Sequence, residues 1–221
     1  MPAFLFDLDG TLVDSVYQHV LAWRDALEIA GLPLSVWRIH RRIGMSGGLF
    51  VSALARETGH SLSAGDVERM MQLHSEAYRH YAGQVRPLPG AAALLAYLAE
   101  QQVPHAIATS GYRDSAAFAL AALGVETNIP IVTRDQVAHA KPDPDLFLAA
   151  AERLGVAIED SVVVGDSIWD LLAARRARAL SIGLLSGGYG QEELERAGAY
   201  RIYEDPADLL SHLDEVGVRG R

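Results

Sequence analysis

Asp7 and Asp9 stand one residue apart, behind the apolar run Ala3-Phe4-Leu5-Phe6 and ahead of Gly10-Thr11. The apolar run is long enough for a short buried strand. If extended geometry continues to Asp9, both carboxylates leave on one side, because strand side chains alternate with a period of two. Two like charges held together are costly unless something positive lies between them. A divalent cation serves that purpose, since hard cations take oxygen ligands. The opening stretch therefore reads as a metal-dependent carboxylate site.

Polar residues also stand at the ends of other predicted strands. Thr109-Ser110-Gly111 follows His105-Ala106-Ile107-Ala108, and Gly165-Asp166-Ser167 follows Ser161-Val162-Val163-Val164, with Asp170 one helical turn later. Lys141-Pro142-Asp143-Pro144-Asp145 precedes a predicted helix. Lys141 is the sole lysine among 19 basic residues. A compact ammonium suits a place where carboxylate, metal and phosphoryl oxygen crowd together. Each feature alone has a plainer reading. Asp9-Gly10-Thr11 is also a common turn, Asp7-Leu8-Asp9 a helix-capping accident, Thr109 a strand-end cap, and Asp166 a helix N-cap. Asp143 and Asp145 are expected to cap the helix after Pro144.

The surrounding pattern indicates what positions these residues. Val16, Val20, Trp23, Leu27 and Ala30 form a helical stripe, closed by Gly31 and Pro33. Helices are predicted over Ser35–Arg42, Gly48–Thr58 and Ala64–Tyr81, and Gly83–Gly90 reads as a linker of breakers. Beyond it, helices at 91–101, 115–123, 143–154 and 168–177 alternate with strands at 105–109, 129–132, 161–164, 180–184 and 200–203. That alternation predicts an α/β fold with a Rossmann-like parallel sheet core. The all-helical block interrupts it as an insertion. The boundaries expected are a core of 1–14 and 84–221 and a helical unit of 15–83. Ligands of such sheets bind outside the carboxyl ends of the strands. Gly217–Arg221 reads as a loose tail, and Gly187-Gly188-Tyr189-Gly190 as a loop.

Composition narrows the function classes. The chain has 221 residues, half of them apolar, with a net charge of −9 and no cysteine. The negative charge argues against nucleic acid and anionic membranes as partners. Absence of cysteine removes disulfides, thiolate zinc sites and cysteine nucleophiles. No apolar stretch is long enough to span a bilayer, and the N-terminus lacks a signal-peptide pattern. These readings suit a cytoplasmic protein.

Asp7-Leu8-Asp9-Gly10-Thr11, Thr109, Lys141 and Gly165-Asp166-Ser167-Ile168-Trp169-Asp170 resemble, in order and spacing, the four motifs of the haloacid dehalogenase superfamily. The insertion after the first motif is similar to that superfamily's helical cap, of the type in phosphoglycolate phosphatases and beta-phosphoglucomutases. The resemblance implies a Mg2+-dependent phosphatase of small phosphorylated metabolites, acting through an aspartyl-phosphate. Asp7 would be the nucleophile and Asp9 the acid/base. The metal would be held by Asp7, the Asp9 carbonyl and Asp166, with Asp170 supporting that shell. Thr109, Ser110 and Lys141 would bind the phosphate.

In the cap, His19, Arg42 and Ser46 are the candidate substrate contacts, while Trp23 is expected to pack in the core and Arg41 to face water. Asp9 favours ester hydrolysis over dehalogenation, and a lysine-free cap leaves a Schiff-base phosphonatase no residue to use. Gly165 and Gly47 stand where the related mutases carry a glutamate and a phosphate-anchoring arginine. A phosphomutase and a non-catalytic phosphate-binding protein are the alternatives. Monomer and homodimer are both open.

Overall fold

The structure, a computed structural model, describes residues 2–124 and 129–218. The chain opens with strand β1 (Ala3–Phe6) and the short β2 (Val13–Asp14). Helices α1 (Val16–Ile29), α2 (Val36–His40), α3 (Gly47–Thr58) and α4 (Ala64–Tyr81) follow, then β3 (Arg86–Pro87). Next come α5 (Ala91–Glu100), β4 (His105–Ala108), α6 (Arg113–Leu123), β5 (Ile131–Val132) and α7 (Asp145–Leu154). The chain closes with β6 (Ser161–Gly165), α8 (Ile168–Ala177), β7 (Leu180–Leu184), α9 (Gln191–Ala197), β8 (Arg201–Tyr203) and α10 (Pro206–Ser211).

Six strands form a parallel sheet in the order β5-β4-β1-β6-β7-β8. Such a sheet is covered on both faces, so its strands are apolar at successive positions. Phe4 and Phe6 enter one core with Ile107, Val162, Val164 and Leu94. Leu5 enters the opposite core with Ala106, Val163 and Phe147. Register pairs Leu5 with both Ala106 and Val163, and Phe6 with Ile107 and Val164. The polar residues after β1, β4 and β6 therefore emerge along one edge of the sheet.

Helices α1 to α4 build a separate core from Val20, Trp23, Leu27, Ile39, Phe50 and Leu54. Helix α4 starts at a capping box, in which Ser63 and Asp66 exchange hydrogen bonds. The Gly83–Gly90 segment is more than a linker: Arg86 and Pro87 pair antiparallel with Asp14 and Val13. The two crossings between sheet and helices thus lie side by side.

Several local expectations are corrected. Strand β1 ends at Phe6, so strand alternation does not carry through to Asp9. Helix α7 starts at Asp145, and neither aspartate caps it: Asp143 pairs with Arg176 at 3.0 Å, and Asp145 accepts the His139 N–H. Ser167, not Asp166, is the N-cap of α8. Strand β5 shortens to two residues because Pro130 lends only its carbonyl, which accepts from the Ile107 N–H at 2.9 Å. Val218 is buried and its N–H donates to the Leu213 carbonyl, so the predicted loose tail is anchored at least that far; 219–221 lie outside the described residues.

Leu5 is fully buried in the central strand. Leu5→Ala is expected to lower stability by about 2–5 kcal/mol, read from urea unfolding.

Candidate active site

The site begins where β1 ends. The Asp7 N–H donates to the Val164 carbonyl at 2.8 Å, which keeps residue 7 in register with the sheet. The chain then turns, with the Leu8 carbonyl accepting from Thr11, Leu12 and Val13. Gly10 has φ +86°, and a Cβ there would approach Asp166 to 2.6 Å. Only glycine suits both demands. The turn brings Asp9 back beside Asp7, and both line one cavity of about 410 Å³.

Lys141 is fully buried below them, its ammonium donating to Oδ1 of Asp7 and lying 2.8 Å from Oδ1 of Asp170. Burial alone would strip its proton, but Asp170 and Asp7 outweigh it and hold the lysine charged. Asp170 is fixed in turn by the N-cap of α8, where its other oxygen accepts from the Ser167 N–H at 3.1 Å and hydroxyl at 2.6 Å. Asp166 accepts the Thr11 hydroxyl at 3.0 Å.

One oxygen from each of Asp7, Asp166 and Asp170 lies within 4.8 Å of the others. All three are buried, and one lysine faces them. Burial raises Asp7 to about 7, although Lys141 pulls it down. Burial, then Asp170 and Asp7, push Asp166 well above the usual carboxylate range. This is a cluster with unbalanced negative charge and hard oxygen donors, a fit for a divalent cation. Glycines hold it close, since a side chain at Gly10 or Gly187 would run into Asp166.

Asp9 is treated differently. Its Oδ1 accepts the Ser15 hydroxyl at 2.6 Å and lies 3.3 Å from Nε2 of His19. Burial raises its pKa, but His19 and Ser15 outweigh it and the net shift is downward. Ser15 is the N-cap of α1, yet its hydroxyl makes no cap bond because Asp9 takes it. Nδ1 of His19 meets Nε2 of His74 at 3.3 Å, and His19 stacks on Tyr78 at 4.1 Å. Burial, then the neighbouring His19, hold His74 well below its usual pKa.

The remaining sequence candidates fall as follows. Thr109 is buried at the cavity wall, and its hydroxyl oxygen accepts from the Gly111 N–H at 2.9 Å. The Ser110 hydroxyl donates to the Gly44 carbonyl at 3.1 Å, joining sheet to helical layer. Arg42 lines the cavity, but its guanidinium pairs with Glu57 and donates to the Arg38 carbonyl at 2.6 Å. Ser46 lines the neighbouring cavity instead, and its N–H donates to the Lys141 carbonyl at 3.1 Å. Trp23 packs in the helical core as expected, and it also stacks on His74 at the cavity wall. Arg41 does not simply face water: it pairs with Glu193 and lies 4.0 Å over the Tyr189 ring.

Sequence reasoning passed over Gly187 and Tyr189. The Gly187 carbonyl lies 2.8 Å from Nε2 of His40, and the Tyr189 hydroxyl donates to the Arg41 carbonyl at 2.8 Å. The Gly187-Gly188-Tyr189-Gly190 run at the end of β7 was the available signal. His74 had none, being one of 8 histidines on an ordinary helix face. A side chain at Gly165 would strike Asp170, and one at Gly47 would displace the end of the Met71 side chain.

Comparison with known proteins agrees with this geometry. The sequence model of the haloacid dehalogenase-like hydrolase family matches residues 1–178. A phosphoglycolate phosphatase of Rhodospirillum rubrum is 33% identical over 217 residues, covering 94% of this chain and 88% of that protein. A phosphorylated carbohydrates phosphatase of Thermotoga maritima is 32% identical over 221 residues, covering 98% of this chain and 100% of that one. The crystal structure of a hydrolase from Pseudomonas syringae superposes with a TM-score of 0.97 at 54% identity, covering 99% of this chain and 100% of that chain. With the acidic cluster at the carboxyl edge of a parallel sheet, these matches establish that the chain belongs to the haloacid dehalogenase-like hydrolase family.

Proposed function

We propose that this hydrolase is a divalent-metal-dependent phosphatase of small phosphate monoesters, working through a phosphorylated Asp7. The observation that carries the reading is the pair of unlike carboxylates: Asp7 on Lys141 beside the acidic cluster, and Asp9 on Ser15 and His19. Relatives named as phosphatases of phosphoglycolate and of phosphorylated carbohydrates support it.

Lys141 engages Oδ1 of Asp7, which leaves Oδ2 for phosphorus. Attack forms an Asp7 O–P bond and breaks the bond between phosphorus and the ester oxygen. Asp9, held ionised in the free site by His19 and Ser15, takes up the proton that a monoanionic phosphate ester brings and passes it to the departing alkoxide. A water then attacks phosphorus, Asp9 takes its proton, inorganic phosphate leaves and Asp7 is restored. Lys141, Thr109 and backbone N–H groups near Asp9, Gly10 and Ser110 bind the non-bridging oxygens, where most barrier reduction in phosphoryl transfer arises. Asp7, the Asp9 carbonyl and Asp166 would hold the cation, Mg2+ by preference, with Asp170 supporting them through Lys141. When bound, it supplies positive charge against the phosphoryl oxygens.

Residues 15–83 serve in this reading as a cap over a core of 1–14 and 84–221. The β2–β3 ribbon is its pivot, and the Tyr189–Arg41 and Ser46–Lys141 hydrogen bonds hold it shut. Closure excludes water from the aspartyl-phosphate. Crystals with and without a phosphate analogue should show the helical layer displaced about that ribbon; superimposable positions would count against a moving cap.

Purified protein is expected to hydrolyse an aryl phosphate, and a chelator to stop it. Asp7→Asn should cut kcat by more than about a thousandfold. A chelation-resistant rate would overturn the metal, and an active Asp7→Asn protein the nucleophile.

The raised carboxylates also set a pH dependence. An unperturbed aspartate titrates near about 3.9, whereas Asp7 is raised to about 7. Between those values the folded protein binds more protons than the unfolded chain, so metal-free stability falls as pH rises. Thermal unfolding should show that decline, a flatter one in Asp166→Asn, and its reversal by a divalent cation at the upper end.

A further inference from the structure

The cavity beyond Asp9 has a charge character that the catalytic residues do not require. Glu68 from α4 and Asp114 from α6 line it, and among the described residues neither has an ion-pair partner. Among the described residues the one arginine on its wall, Arg42, is already engaged by the Glu57 carboxylate and the Arg38 carbonyl. His19 faces Asp9, and His74, stacked under Trp23, is kept neutral by its burial. No uncommitted cation among the described residues stands ready for a second anionic group.

What the wall offers instead is neutral. Trp23, Phe50 and Met71 supply an apolar side, and Gln72 and Ser75 supply hydrogen-bonding groups. An aromatic face with nearby amide and hydroxyl groups suits the C–H and O–H surfaces of a polyol. A carboxylate or second phosphate would enter a wall that carries the exposed carboxylates of Glu68 and Asp114, and like charges there repel it, with solvent screening part of the effect. The volume of about 410 Å³ lies in the range of small-molecule sites, roughly 300–1,000 Å³.

We infer that the site selects phosphate monoesters whose leaving group carries no second negative charge, with a polyol or carbohydrate as the favoured leaving group. This rests on the phosphatase reading above. Specificity then lives in the Arg42–Glu57 pair as much as in the groups that touch substrate, because that pair engages the only guanidinium that the described residues place on the wall.

The test compares kcat/KM for a hexitol monophosphate, phosphoglycolate and para-nitrophenyl phosphate at fixed metal concentration. The hexitol ester is expected to exceed phosphoglycolate by at least about tenfold. Glu57→Gln, on the outer side of the pair, should free Arg42 and narrow that ratio several-fold by raising the phosphoglycolate rate. Equal rates, or a preference for phosphoglycolate, would overturn the inference while leaving the phosphatase reading intact. A ratio untouched by Glu57→Gln would overturn the charge argument behind it. Failure of all three esters to turn over would overturn the phosphatase reading, and the inference with it.

Discussion

The structure is organised around a buried ammonium. Lys141 has no solvent exposure, and its two neighbours come from different parts of the chain, Asp7 after β1 and Asp170 in the first turn of α8. Taking such charges out of water costs several kcal/mol per ion, and only close opposite charges offset it. Three chain segments must therefore converge on one point to within hydrogen-bonding distance. The sheet order supplies the convergence, because β1 lies beside β6 and the residues that follow both emerge at one edge. Loss of either carboxylate would strand the lysine, a change that typically costs about 3–5 kcal/mol.

The same site violates local rules that the rest of the fold obeys. Three buried carboxylates share a space with one lysine, and Asp166 has burial and its neighbours against its ionised form. Ser15 gives its hydroxyl to Asp9 where an N-cap would normally give it to its own helix. Such sites are where natural proteins trade stability for chemistry. By contrast, the Ser63–Asp66 box at the start of α4, remote from the chemistry, is complete.

The fold was legible wherever burial on both faces left an unbroken apolar run. Ala3–Phe6 and Leu180–Leu184 are strands over the residues expected, and Ala64–Tyr81 is a helix with both ends as read. Less legible were features decided by tertiary partners. Asp143 and Asp145 look like caps, but Arg176 and the His139 N–H claim them. The Ser167–Asp170 box carried a readable spacing, yet nothing in it announced that the second oxygen of Asp170 would meet Lys141. Reaction chemistry depends on residues next to one another in sequence or at successive strand ends, so it is written compactly. The cavity wall is assembled from side chains on α1, α3, α4 and α6, and only their packing shows which face inward.

The ribbon of Val13–Asp14 with Arg86–Pro87 has a consequence for how such a protein changes over time. It fastens the excursion into the helices at its neck, so the excursion is a loop whose ends are already joined. Closing a loop grows costlier only slowly with length, and here the neck sets the spacing whatever hangs from it. Beyond this clasp, two residues wide on each side, the helices also meet the sheet layer through the Ser46–Lys141, Ser110–Gly44 and Tyr189–Arg41 hydrogen bonds. The spacing of Asp7 and Asp166 is set by the pairing of β1 with β6, and the neck fixes where the helices leave and rejoin that sheet. In the function proposed above, bond-breaking belongs to the sheet edge and substrate choice largely to the helices that the neck carries.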